Sequence, residues 1–162
     1  AGVPGVYVHS LFGSRNWSAG VAQTGRNRTI NRRKFQRSVL EAELADPTTI
    51  AHQVFTRYKT LLHIRREEPA FHPNGAQRVL SLHPALFSFV RQAPDGTRRV
   101  LCIHHVAAES VTISIDLADC GLDPNLPLID LLGGAQLTPV GGTLSITVPA
   151  CGMRWLAQEA SA

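Results

Sequence analysis

The stretch GSRNWSAGVAQTGRNRTINRRK, residues 13–34, carries Arg15, Arg26, Arg28, Arg32, Arg33 and Lys34 and not one carboxylate. Guanidinium groups present a planar fork of donors that matches phosphate and carboxylate oxygens, and a nearby acid would cancel that attraction. On charge alone such a stretch fits a phosphate group, a nucleic-acid backbone or plain solvent. The surplus is local. Residues 1–40 hold seven Arg or Lys and no Asp or Glu, whereas residues 41–162 hold nine basic and twelve acidic residues.

Other chemistries find less support. His104 and His105 are adjacent in a strand-like run, so their side chains alternate across it and cannot close on one metal; no metal site and no cofactor are expected. Cys102, Cys120 and Cys151 show no CxxC spacing and read as buried free thiols of a reducing, cytoplasmic compartment. No apolar run approaches the roughly 20 residues that cross a bilayer, and no signal-peptide pattern opens the chain, so no membrane partner is expected. Nucleic-acid binding is weighed and set aside: the basic stretch has few aromatics for stacking and no basic recognition helix. A free-standing carbohydrate-binding module is set aside too, because alternation puts Phe87 and Phe89 on one strand face, read as the core.

The elements that must position these residues change character near residue 75. Val3–His9 is β-branched and aromatic and reads as a buried strand. A Gly-, Ser- and Asn-rich loop follows to about Asn31, then KFQRSVLEAEL as a short helix. Asp46 as N-cap and Pro47 as first helical residue start a second helix over 47–66, which Glu67-Glu68-Pro69 ends. Beyond HPNG the period becomes two. QRVLSLH, ALFSFVRQ, RRVLCIHHV, SVTISIDL, PLIDLL, GTLSITV and GMRWLA are seven strand candidates, separated by turn signals at Pro94-Asp95-Gly96, Gly133-Gly134 and Gly141-Gly142. That spacing fits an antiparallel sandwich. A lone parallel-type strand among helices needs partner strands, so residues 1–40 are expected to be the tail of a domain whose earlier strands lie upstream of Ala1.

GVPGVYVHSLFGSRN followed by TGRNRTINR resembles the eighth strand and following loop of the (β/α)8 barrel in the sucrose phosphorylase-like branch of the alpha-amylase superfamily. The Gly2-x-Pro4-x-x-Tyr7 segment matches the last barrel strand, and Gly25-Arg26 through Ile30-Asn31-Arg32 matches the more distinctive loop. VFTRYKTLLHIRREEPAF resembles the last barrel helix. HSLFGSRN is more similar to the glucosylglycerate and phosphorylated-sucrose phosphorylases than to plain sucrose phosphorylase. The resemblance implies an α+β chain: the last strand, loop and helices of a barrel in residues 1–74, then an all-β sandwich in residues 75–162 that packs on the helix of residues 47–66.

It implies, further, a retaining glucosyl transfer to inorganic phosphate, for which two carboxyl groups about 5 Å apart are needed. Residues 1–40 offer none, and Glu41, Glu43 and Asp46 sit in a helical stretch, so no catalytic residue is expected in this chain. Arg28, with Arg26 second, takes the place of the arginine that contacts phosphate or acceptor. His9 and Asn16, with Ser10 and Trp17, lie at the strand end and loop where barrel enzymes bind sugar. Arg32 reads as a structural bridge, and Arg33, Lys34 and Arg37 as a solvated helix face. The partners implied are inorganic phosphate and a glucoside or acceptor sugar, with an amylase-type hydrolase as the alternative reaction. Apolar residues ring much of the last helix, so the isolated chain is expected to form a homodimer.

Overall fold

Asp46, Thr48 and Thr49 set the first sharp boundary in the chain. The Asp46 carboxylate accepts from Thr48 N at 2.9 Å and from Thr48 Oγ1 at 2.8 Å. These bonds close a turn and hold the Asp46 carboxyl below the ordinary carboxylate range. Thr49 Oγ1 then accepts from His52 N at 3.1 Å, which caps the helix Ile50–Glu67. The helix therefore begins at Ile50 rather than Pro47, because the Asp46 side chain is already committed to Thr48.

The computed structural model describes residues 5–159. In chain order the helices are α1 (Val8–Leu11), α2 (Ser18–Thr24), α3 (Arg37–Ala45) and α4 (Ile50–Glu67), with 3-10 turns at Asn27–Asn31 and Pro69–Phe71. The strands are β1 (Ala76–Leu80), β2 (Leu86–Gln92), β3 (Arg98–His105), β4 (Val111–Asp116), β5 (Leu128–Asp130), β6 (Gln136–Leu137), β7 (Thr143–Val148) and β8 (Met153–Glu159). The chain divides into two compact units that meet at His63 and Ile64, inside α4. The change of hydrophobic period near residue 75 does not coincide with that division.

The strand expected over Val3–His9 is not formed in its described part. Gly5–Tyr7 has no regular structure and Val8–Leu11 makes one helical turn; Val3 and Pro4 lie outside the described residues. Val6, Tyr7 and Val8 are exposed. A strand exists only with a neighbour to close its ladder, and no described strand pairs with this run.

From β1 onward the reading by period holds. All seven expected strands form, and the two-residue β6, too short to show a period, is the addition. A six-stranded antiparallel sheet in the order β1-β2-β3-β8-β5-β6 faces a two-stranded sheet of β4 and β7. Leu101, Ile103, Leu128 and Leu156 from the first sheet meet Ile115, Leu144 and Val148 from the second in one core. Each fully buried aliphatic side chain there stabilises the fold by about 1.5–3 kcal/mol.

The other face of the six-stranded sheet is only partly covered. Segment 68–72, which follows α4, lies across its middle. Glu68 accepts from Arg98 Nε through both oxygens at 3.2 Å, and its Oε1 also accepts from Ala70 N at 3.1 Å. Arg91 donates to Ala70 O at 3.2 Å and His72 O at 2.6 Å. Phe71 meets Trp155 edge-on at 4.9 Å. Phe87 and Phe89 lie on this outer face, not in the core: the register that turns Leu86 and Val90 inward turns them out, and Phe87 is 51% exposed. Cys102 and Cys120 are buried as expected, but Cys151 is exposed. It sits in the turn before β8 with φ 52°, where the chain reverses at the surface.

His104 belongs to the same outer face. It stacks on Phe89 at 5.8 Å with an interplanar angle of 11°, and its Nε2 accepts from Trp155 Nε1 at 3.4 Å. Burial pushes its pKa down. A His with a lowered folded pKa contributes its full stability above the unfolded value of about 6.5 and loses it as pH falls below. Urea titrations of the wild type should therefore show stability falling between pH 7 and 5, with a smaller fall in His104→Gln. Equal slopes in the two proteins would contradict this.

Candidate functional site

The cationic stretch is held by neutral groups. Trp17 N donates to Ile30 O at 2.6 Å, bringing the two ends of the loop together. Thr24 Oγ1 donates to Gly20 O at 2.7 Å and lies 3.1 Å from Thr29 Oγ1, which ties α2 to the 3-10 turn. Tyr7 Oη donates to Asn31 O at 2.5 Å. A line of rings runs beneath: Tyr7 to His9 at 5.2 Å, His9 to Phe35 at 4.8 Å, Phe35 to Phe12 at 5.5 Å and Phe12 to Phe55 at 5.5 Å.

Two glycines allow this closeness. Gly13 has φ +60°, and a Cβ on it would stand 2.7 Å from Val54 Cγ2 on α4. A Cβ on Gly20 would fall 2.2 Å from the Trp17 ring, so the indole lies flat on a bare backbone.

The fold leaves a cleft of about 770 Å³ between the Phe12–Trp17 loop, the Arg32–Gln36 segment and α3. That volume lies in the range of small-molecule sites. Phe12, Trp17, Phe35, Val39 and Leu40 supply apolar wall, and Arg15, Arg32, Arg33 and Lys34 supply charge. Glu43 is the one carboxylate among the lining residues. A second, small cavity of about 20 Å³ is lined by His9, Ser14, Arg15, Asn16, Ile30, Asn31 and Arg33, room for about one water. Arg15 and Arg33 line both spaces.

The residues expected to bind thus separate. His9 and Asn16 come together at the small cavity beside Arg15 and Arg33. Arg26 and Arg28 do not join them: both are exposed, Arg26 just ahead of the 3-10 turn and Arg28 within it, and neither lines the two spaces. Arg32 makes no ion pair among the described residues, so it is not a structural bridge there. Arg33 and Lys34 lie in a segment without regular structure ahead of α3 and border the cleft, not on a helix face. Arg37 alone fits that reading, paired with Glu41 at 2.7 Å on the exposed side of α3.

Sequence reasoning gave no role to Arg15 or Phe35, and it left Glu43 on a helix surface. Their signal was present only as proximity in the chain to Asn16, Arg33 and Lys34; the folding back of residues 32–36 brings them to the cleft. No ion pair to any of the six cations of residues 13–34 is found among the described residues. What the arrangement can do is hold an anionic group at Arg15 and Arg33 while rings pack against the rest of a ligand. No group of His, Cys, Asp or Glu able to hold a metal occurs among the described residues.

No protein-family model matches the chain. It is 46% identical over 106 residues to the glucosylglycerate phosphorylase of Spirochaeta thermophila, covering 65% of this chain and 18% of that protein. To the glucosylglycerate phosphorylase of Allomeiothermus silvanus it is 49% identical over 79 residues, covering 49% of this chain and 14% of that protein. The chain therefore spans less than a fifth of the length of these relatives. In fold it is similar to an alpha-amylase from Anoxybacillus, with a TM-score of 0.61, 14% identity and coverage of 82% of this chain and 26% of that one. The chain is thus similar in sequence to part of these glucosylglycerate phosphorylases and in fold to part of an alpha-amylase.

Gly20→Ala tests how the site is built. Alanine gains up to about 1 kcal/mol of helix propensity, but its methyl group would fall inside the Trp17 ring, and overpacking costs about 1–3 kcal/mol. The variant should lose stability in urea and shift the Trp17 indole resonance. Unchanged stability with an unmoved indole would show that the ring does not rest on Gly20.

Proposed function

We propose that this chain is the C-terminal part of a retaining alpha-glucoside phosphorylase that transfers a glucosyl group to inorganic phosphate and yields glucose 1-phosphate. The observation that carries the reading is a sugar-sized cleft lined by four cations, Arg15, Arg32, Arg33 and Lys34, against one carboxylate, in a chain 46% identical over 106 residues to a glucosylglycerate phosphorylase. An enzyme that admits a phosphate dianion where a hydrolase admits water gains from such a surface.

The chain's own carboxylates near the cleft do not form the catalytic pair. Glu41 pairs with Arg37 and Asp46 closes the Thr48 turn, which leaves Glu43 alone in the lining. A retaining reaction needs a nucleophile and an acid/base about 5 Å apart, and on this reading other residues of the parent polypeptide supply both. This chain contributes the acceptor and phosphate side. Arg28 and Arg26, exposed on the loop, are the proposed phosphate-side cations, and His9 and Asn16 the proposed polar contacts to acceptor. No cofactor enters the reaction. The free thiols of Cys102, Cys120 and Cys151 fit a cytoplasmic setting. No helix among the described residues is long and apolar enough to cross a membrane.

By itself the chain leaves Val6, Tyr7, Val8, Val39, Ile50 and Leu62 exposed within residues 5–63. Covering a few hundred Å² of such surface is worth several kcal/mol at about 25 cal/mol per Å². Light scattering at tens of micromolar should give the mass of a dimer; a clean monomer would count against self-association. For the parent protein, incubation with candidate glucosides should release glucose 1-phosphate only when inorganic phosphate is present. Release of free glucose at a rate indifferent to phosphate would assign it to hydrolysis instead.

A further inference from the structure

We propose that residues 68–72 are a clasp over the outer face of the six-stranded sheet: they open as one unit while the core between the two sheets stays closed, and the opening bares the thiol of Cys102. This goes beyond the phosphorylase reading and stands independently of it. Register puts Cys102 on the outer face, in one row with Val79 on β1, Phe89 on β2 and Trp155 on β8. Val79 is 62% exposed, yet Cys102 and Val100, the next outward-facing residue of β3, are 0% exposed. What lies above β3 is segment 68–72.

Its anchors show the path. Arg91 on β2 donates to Ala70 O and His72 O, which fixes the backbone of the segment beside β2. Phe71, between those two residues, meets the Trp155 ring on β8 at 4.9 Å. β3 lies between β2 and β8, so the Phe71 side chain passes over β3, where Val100 and Cys102 face outward. The charges of Arg91 and Glu68 reach the thiol, and burial pushes its pKa up to about 12, which keeps it in the unreactive thiol form while the cover is in place. The hold on the segment is mostly polar: Glu68 with Arg98, and Arg91 with the two carbonyls. Breaking it leaves Leu101, Ile103 and Leu156 packed on Ile115, Leu144 and Val148, which is what a local opening requires. Gly75 sets the fit. A Cβ there would stand 2.5 Å from Gln92 O, 3.0 Å from His72 O and 3.2 Å from Ala70 O, all backbone atoms, so the clasp lies flush on β2 because residue 75 has no side chain.

The chain carries its own controls, since Cys120 lies in the core and Cys151 is exposed. The whole chain is treated with N-ethylmaleimide under native conditions, and the labelling rate of each cysteine is followed by peptide mass spectrometry. Cys151 should react first, and Cys102, reached through the open clasp, faster than Cys120. Gly75→Ala forces backbone atoms apart without removing an anchor, and Arg98→Gln removes one. Each should raise the Cys102 rate about tenfold and leave the Cys120 rate unchanged. Leu144→Ala, which leaves a hole in the core, should do the reverse. If the two rates rise together in every variant, Cys102 is reached only when the whole sandwich unfolds, and the clasp is overturned. A Cys102 rate unmoved by Gly75→Ala and Arg98→Gln overturns it as well, because segment 68–72 then does not seal the thiol. Should Arg98→Gln fail to fold, Gly75→Ala, read on the same two cysteines, decides between these outcomes.

Discussion

Positive charge without a counter-charge is the constraint around which residues 13–34 are organised. Six cations within 22 residues repel one another, and the usual remedy, a carboxylate at ion-pair distance, would destroy whatever the charge is for. The loop is held instead by bonds that carry no net charge. The Tyr7 hydroxyl, the Trp17 amide and the Thr24 hydroxyl each donate to a backbone carbonyl, and a line of rings from Tyr7 to Phe55 packs beneath. Neutral hydrogen bonds contribute only about 0.5–1.5 kcal/mol each, so several are needed where one buried ion pair would serve. Gly13 and Gly20 belong to the same economy of space, since they let Val54 and the Trp17 ring approach the backbone directly.

The residues from Ile64 onward follow the opposite logic. There, charge is neutralised wherever it is buried: Glu68 by Arg98, and Asp130 by Arg154 at 3.2 Å. Gln158, also buried, accepts from Asp123 N and donates to Asp123 O and Leu126 O, which anchors the segment ahead of β5 to β8. Each of these groups would cost several kcal/mol if left alone inside the protein. Paired, they fix loops against a core of aliphatic side chains. One part of the chain thus keeps its cations without carboxylate partners among the described residues, four of them at an open cleft, while the other cancels its buried charges. That contrast in charge is the physical ground on which the cleft is proposed as a binding site.

Much of this was legible in the residues themselves. A period of two over residues 77–157, with Gly and Pro between runs, determined the strands, because alternation and turn chemistry are local properties. The helix ending at Glu67 before Pro69 was equally local. The cationic stretch and its lack of acid were visible without any structure.

What only the tertiary structure decided is which residues share a space and which face of a strand is covered. Phe87 and Phe89 were known to share a face, but alternation does not say which face meets the second sheet; the placement of Leu101, Ile103 and Leu156 against Ile115, Leu144 and Val148 does. Val3–His9 has strand composition, yet pairing is a property of neighbours, and the described part of the run has none. Among the cations, spacing could not separate Arg15 and Arg33 from Arg26 and Arg28. The return of residues 32–36 past the Phe12–Trp17 loop does so, because contacts between segments distant in the chain depend on packing and closure and not on any local pattern.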